Sequence, residues 1–75
     1  MTLQQFIEDR KVLFVEYSEI RRQAALPESK LGWTKDAWSN RLRGRTELKD
    51  LEVMALDLIL QTIRIEAKKK ELETV

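Results

Sequence analysis

Between positions 34 and 45 the chain gathers Lys35, Asp36, Ser39, Asn40, Arg41, Arg43 and Arg45, a mixture of ammonium, carboxylate, hydroxyl, amide and guanidinium groups. Such groups hydrogen-bond phosphate oxygens and base edges. They are poorly suited to covalent chemistry in this chain, which has no His, no Cys and no glycine-rich phosphate loop. Proton transfer at neutral pH draws most often on His, and thiol nucleophiles need Cys. The chain is therefore expected not to be an enzyme and to need no cofactor. A structural zinc site would have to be built from carboxylates alone, which zinc does not favour. Disulfides are excluded, in keeping with a reducing cytoplasm.

The spacing of these residues matters as much as their types. Gly32 ends one element and Thr34 caps the next, so that 35–43 make about two and a half helical turns. With Thr34 as N-cap, Trp33 precedes the cap and Trp38 is the fourth helical position, the pairing of a hydrophobic staple. The two indoles read more naturally as packing residues than as stacking platforms for single-stranded nucleic acid. At 100° per residue Trp38 and Leu42 share one face. The opposite face centres on Asn40, with Asp36, Ala37 and Arg43 nearby and Lys35, Ser39 and Arg41 towards its edges. The short helix is expected to pack through Trp38 and Leu42 and to turn its polar row outward, where Asp36 also suits the positive end of the helix dipole.

The rest of the chain must position that helix. Pro27, Gly32 and Gly44 are its only Pro and Gly, so longer helices are expected on both flanks and short ones in the centre. Leu3, Phe6, Ile7, Leu13, Phe14 and Tyr17 recur at helical spacings with a slip near Arg10, although the run Val12, Leu13, Phe14, Val15 also fits a buried strand. Ser18 followed by Glu19 looks like a helix start running through IRRQAAL, and Pro27 interrupts that helix or opens the next turn. After Gly44, Thr46 is a candidate N-cap. Leu48, Leu51, Met54, Ala55, Leu58, Ile59 and Ile63 then form one apolar stripe, with Leu60 and Ile65 off it. The stripe exceeds what so small a core can cover, so part of it is expected to face another chain. Lys68, Lys69 and Lys70 among Glu66, Glu71 and Glu73 read as a frayed, solvated helix end.

Seventy-five residues make one small domain, 1–75, with a polar tail at 66–75. No apolar run approaches the roughly 20 residues of a membrane span, and the first residues lack the features of a signal peptide. A soluble protein of the cytoplasm is expected. The net charge of +1 hides an uneven distribution: −1 over residues 1–17, +4 over 18–45 and −2 over 46–75. The basic excess falls on the segment that holds the polar row, which points to an anionic partner.

The stretch GWTKDAWSNRLRGRTELKDLEVMALDL resembles the second half of a lambda-repressor-like helix-turn-helix domain, the Cro/C1 or XRE family of phage and bacterial regulators. In that family a glycine turn leads to a capped recognition helix, then to a small polar residue and Gly, then to a helix with an apolar-x-x-Leu-Ala-x-x-Leu pattern. Gly32, Thr34, Trp38, Leu42, Gly44, Leu51, Ala55 and Leu58 fall on that frame. The resemblance implies that Lys35, Asp36, Ser39 and Asn40 read bases and that Arg41, Arg43 and Arg45 grip the backbone, with Arg21, Arg22 and Lys30 as weaker candidates. Aligned without gaps, the family's first motif helix would span 24–31, with Pro27 and Glu28 at apolar and small positions. The other arrangement is a lengthened turn after a helix at 18–26.

The expected protein is an all-α bundle of four or five helices with a helix-turn-helix-like centre and a long C-terminal helix. Its expected function is sequence-specific binding of double-stranded DNA and transcriptional regulation, as a Cro-like repressor or similar control protein of a phage or mobile element in a bacterial host cell. Homodimerisation through the C-terminal helix would present two recognition helices. The alternative is a protein-binding antirepressor or small inhibitor that uses the same fold against another regulator.

Overall fold

The computed structural model describes residues 1–73. Its regular elements are four α-helices, α1 (Leu3–Asp9), α2 (Phe14–Ala24), α3 (Lys35–Leu42) and α4 (Asp50–Glu73), with a 3-10 turn at Pro27–Ser29 between α2 and α3. No strand occurs among the described residues, and no helix there is long and apolar enough to cross a membrane. The chain forms the expected all-α bundle, drawn out to 44 × 26 × 19 Å because α4 is so long.

The N-terminal flank divides into two helices rather than one. Thr2 caps α1, accepting the Gln5 N–H at 3.1 Å while the Gln5 side chain accepts the Thr2 N–H at 2.9 Å. The helix closes where Lys11 takes the left-handed conformation, φ 50, and Val12 N–H donates back to the Ile7 carbonyl at 3.1 Å. That reversal resets the helical phase. Leu3 and Phe6 stay in the core and Ile7 and Tyr17 are half-buried, but Leu13, Phe14 and Val15 emerge exposed, so the run is neither a buried strand nor part of a continuous apolar stripe.

The second helix begins at Phe14 and not at Ser18, because Glu16 supplies the cap that Ser18 was expected to supply. The Glu16 carboxylate accepts the Leu13 N–H at 2.9 Å. It is itself held by Arg64 of α4, at 2.7 and 3.1 Å. The Arg64 guanidinium, through this hydrogen bond, holds the Glu16 carboxyl below its ordinary value of 4.5, and the Leu13 N–H adds to that against the opposing effect of burial. A carboxyl whose pKa is lower in the folded than in the unfolded chain contributes stability above the unfolded pKa and loses it as pH falls through the folded one. Glu16→Gln is therefore expected to cost more stability at pH 7 than at pH 3 in urea unfolding. An equal cost at both would show that the ion pair does not matter.

Pro27 opens the 3-10 turn, and Ser29 organises it: its hydroxyl donates to the Leu26 carbonyl at 2.8 Å and accepts the Leu31 N–H at 3.1 Å. The chain returns to α2 where Trp33 N–H donates to the Ala24 carbonyl at 2.9 Å. The helix before this turn runs 14–24, so neither of the spans open from the sequence, 24–31 and 18–26, is the one observed.

Thr46 does not start the last helix. After α3, Gly44 adopts φ 78 and the N–H groups of Arg45 and Thr46 both turn back to the Asn40 carbonyl, at 2.9 and 3.3 Å. The chain then runs on to Leu48, buried, whose N–H donates to the Met1 carbonyl at 2.8 Å. Only at Asp50 does α4 begin, with the Glu52 carboxylate accepting the Lys49 N–H at 2.9 Å. The expected frayed tail is helical through Glu73, and its last two positions, 74 and 75, lie outside the described residues.

The apolar stripe expected on α4 is divided between two faces. Leu56, Ile59 and Leu60 are buried, with Val53 and Ile63 half-buried beside them, so Leu60 belongs to the core it was expected to miss. Leu51, Met54 and Leu58 are exposed, and Ile65 joins them. Ion pairs flank the inward face. Arg10 pairs with Asp57, its guanidinium 4.3 Å from the Phe6 ring centroid, while Arg64 pairs with Glu16 and donates to the Arg10 carbonyl at 3.1 Å.

Candidate nucleic-acid interface

The N-terminus of α3 is built as the sequence suggests. Thr34 sits in extended conformation at the cap and its hydroxyl accepts the Ala37 N–H at 3.2 Å. Trp33 and Trp38 meet with ring centroids 5.5 Å apart, which is the staple. Gly32, at φ 55, permits the bend that carries Trp33 back under the helix, since left-handed backbone is strained for residues with a Cβ. Trp38 also meets Tyr17 of α2 edge-on at 5.6 Å and donates its indole N–H to the Tyr17 hydroxyl at 3.0 Å. One aromatic cluster thus locks α3 against α2.

The inward face of α3 differs in one respect from that drawn at 100° per residue. Leu42 is exposed, and its expected packing role passes to Ala37, half-buried against the core, and to Arg41. Arg41 lies about 60° from Trp38 around the helix, on the side facing α4. Its guanidinium stacks 4.4 Å over the Trp33 ring, donates to the Ala37 carbonyl at 2.9 Å, and pairs with Glu52 of α4 at 2.9 and 3.1 Å. A guanidinium with every side occupied is a structural clamp, and so Arg41 stands apart from the outward set in which the sequence placed it. Its pairing required knowing that α4 passes beneath α3, which no local pattern contains.

The outward face carries the remaining candidates. Lys35, Asp36 and Arg43 are exposed, and Ser39 and Asn40 are half-buried between them. Arg45 continues the row beyond Gly44. The side chains of Lys35, Arg43 and Arg45 enter no ion pair among the described residues, so their charge faces solvent. Asn40 also acts through its backbone, where its carbonyl receives the two N–H groups that end the helix and so pins the residue at the last outward turn.

Beside the N-terminus of α3, a recess of about 330 Å³ opens between α2 and α3. Trp33 and Trp38 line it, with Ser18, Arg21, Arg22 and Lys35 around them. Arg22 is partly committed: its Nε donates to Glu19 at 3.1 Å, and this contact, joined by one from Gln23, draws the Glu19 carboxyl down to about 2. Arg21 and Lys35 are the cations of that recess with no ion pair among the described residues. Lys30, also a weaker candidate, takes φ 65 in the turn and lines a different groove, against α4. The clue to Arg21 lay in the sequence: its one-turn spacing from Ser18, with the α2 phase set by Tyr17.

No protein-family model, no curated protein and no solved structure matches the chain.

Proposed function

We propose that the chain binds double-stranded DNA, laying the outward face of α3 in the major groove, and acts as a transcriptional regulator of the helix-turn-helix kind. The observation that carries this reading is the uncovered row of Lys35, Asp36, Ser39, Asn40 and Arg43 on a helix whose other face is locked by Trp33, Trp38 and Arg41. A rigid helix with an unobstructed polar face suits base reading, because the helix need not be ordered at the moment of binding. Asn40 and Ser39 carry amide and hydroxyl groups suited to base edges. Arg43, Arg45, Lys35 and Arg21 supply charge for phosphates on both sides of that row. The regulatory role, and with it the Cro-like repressor of a phage or mobile element, follows from the resemblance alone.

Four phosphate contacts would give a log–log salt slope near −3.6, so affinity for duplex DNA is expected to fall about a hundredfold between 50 and 200 mM salt. Titration of the protein with random duplex while following amide shifts should move residues 34–45 saturably at low salt. Absence of such shifts at low salt sinks the proposal. Arg43→Ala is expected to weaken all sequences alike and to reduce the slope by about one, whereas Asn40→Ala should relax base preference at one position.

A second reading, a protein-binding antirepressor or inhibitor, is favoured by a separate feature. Leu13, Phe14 and Val15 are consecutive and exposed, Phe14 by 83%. Apolar surface of that kind suits a protein partner better than phosphate. The two readings part in the titration above, since this one expects no DNA-induced shifts in 34–45.

A further inference from the structure

The outward face of α4 carries Leu51, Leu58, Ile65 and Leu72, spaced by seven residues each time and 78, 64, 56 and 72% exposed. A seven-residue repeat keeps four large apolar side chains in one row, as at one of the two core positions of a paired helix, while the companion position is apolar at Met54 and polar at Gln61 and Lys68. Met54, also exposed, flanks the first two. The inward core, formed by Leu56, Ile59 and Leu60, lies on the opposite side of the same helix, so the outward repeat is no part of the monomer's packing.

The two halves of this face are unlike and complementary. Along the N-terminal half, Leu51, Met54 and Leu58 form one wall of a groove of about 920 Å³, whose other wall is the 3-10 segment with Leu26 and Leu31. Along the C-terminal half every residue from Arg64 to Leu72 is exposed, with Arg64 reaching Glu16 of α2. Charge divides in the same way. Residues 46–60 carry −3, from Glu47, Asp50, Glu52 and Asp57 against Lys49, while residues 61–75 carry +1. One half therefore offers an apolar groove whose rim carries Glu28 and Glu52 together with Lys30 and Lys49, and the other an exposed helix face with Lys68 and Lys69.

We propose that α4 pairs antiparallel with α4 of a second copy of the chain, Leu51 of each copy meeting Leu72 of the other and Leu58 meeting Ile65. These two pairings share one centre, between positions 61 and 62, as a two-fold axis requires. In this register the C-terminal turns of each copy lie along the groove of its partner. Lys69 then falls level with Met54, which its stem covers, and Lys68 lies within a turn of Asp57. A parallel pair would set the two grooves against each other and leave neither filled by a helix. Antiparallel helices also oppose their dipoles favourably. The proposal is independent of DNA binding: a chain that pairs but ignores DNA retains it.

Because the native chain lacks Cys, the pairing is best read by mass rather than by crosslinking. Sedimentation equilibrium of the full chain is expected to show a dimer in the micromolar range. Leu58→Glu should weaken it about a hundredfold or more while leaving the helical circular dichroism unchanged, since position 58 lies outside the monomer's core. Leu58→Glu combined with Ile65→Lys in one chain should restore the dimer, because the introduced acid of each copy then meets the introduced lysine of the other. In a parallel pair like charges would meet and the double variant would stay monomeric. A native chain that is monomeric at millimolar concentration, a Leu58→Glu variant that still pairs, or a double variant that fails to recover each overturns the proposal.

Discussion

Trp38→Ala is expected to destabilise the domain by about 3 to 5 kcal/mol, which lowers the midpoint of thermal unfolding by roughly 15 to 30 °C for a chain of this size. The magnitude follows from where the indole sits. Trp38 is buried and joins three segments: its ring meets Trp33 at 5.5 Å before α3 and Tyr17 at 5.6 Å on α2, and its N–H donates to the Tyr17 hydroxyl at 3.0 Å. Truncation leaves a cavity against both rings, and a domain of 75 residues has little other core to close it. Small domains are stable by only about 5 to 15 kcal/mol, so the loss is a large fraction of the whole. Trp38→Phe keeps most of the ring and loses the hydrogen bond, and is expected to cost about 1 to 2 kcal/mol. Thermal unfolding followed by circular dichroism measures both. A midpoint shift of less than about 5 °C for the alanine variant would mean that the aromatic cluster does not hold α3 in place.

The second large effect is expected at Glu52, whose carboxylate joins α3 to α4. It pairs with Arg41 at 2.9 and 3.1 Å and accepts the Lys49 N–H at the start of α4, and the two side chains of the pair are only 16 and 12% exposed. Glu52→Ala therefore leaves a guanidinium enclosed without its counter-charge and uncaps a helix. Breaking an enclosed pair from one side costs about 3 kcal/mol or more. Arg41→Met is expected to cost less, because an aliphatic chain can still lie over the Trp33 ring and Glu52 retains the Lys49 N–H. A double-mutant cycle on the two positions in urea should return a coupling of about 1 to 3 kcal/mol. A coupling near zero would make Arg41 available to a ligand after all, and would return it to the set with Arg43 and Arg45. The same variant tests how the interface is aimed: with the clamp cut, α3 should show faster amide exchange while α1 keeps its protection.

Much of α3 was legible because its determinants are local. The cap at Thr34, the pairing of Trp33 with Trp38 and the left-handed turns at Gly32 and Gly44 all act over a few residues, where spacing alone decides geometry. Thr46 misled for an equally local reason that composition hides. It has the chemistry of an N-cap, but it belongs to the turn that closes α3, its N–H donating to the Asn40 carbonyl, and the chain runs on through Leu48 before α4 begins. Ser18 misled because Glu16, secured by Arg64 from 48 positions away, caps the helix earlier.

By itself the sequence determined the helical class, the capped helix starting at Lys35, expected to reach 43 and ending at Leu42, the staple beneath it and the basic character of the central segment, since caps, glycine conformations and charge are properties of neighbouring residues. Only the tertiary structure decided which face of α4 turns inward and which arginines remain at the surface. The last helix carries apolar residues on two sides, and its helical period cannot choose between them. Leu56, Ile59 and Leu60 are the ones buried against the other helices, and Asp57 with Arg10, Glu16 with Arg64 and Glu52 with Arg41 flank that face, each across at least 11 positions of sequence. This packing engages Arg41 with Glu52 and leaves Leu51, Leu58, Ile65 and Leu72 outside the core.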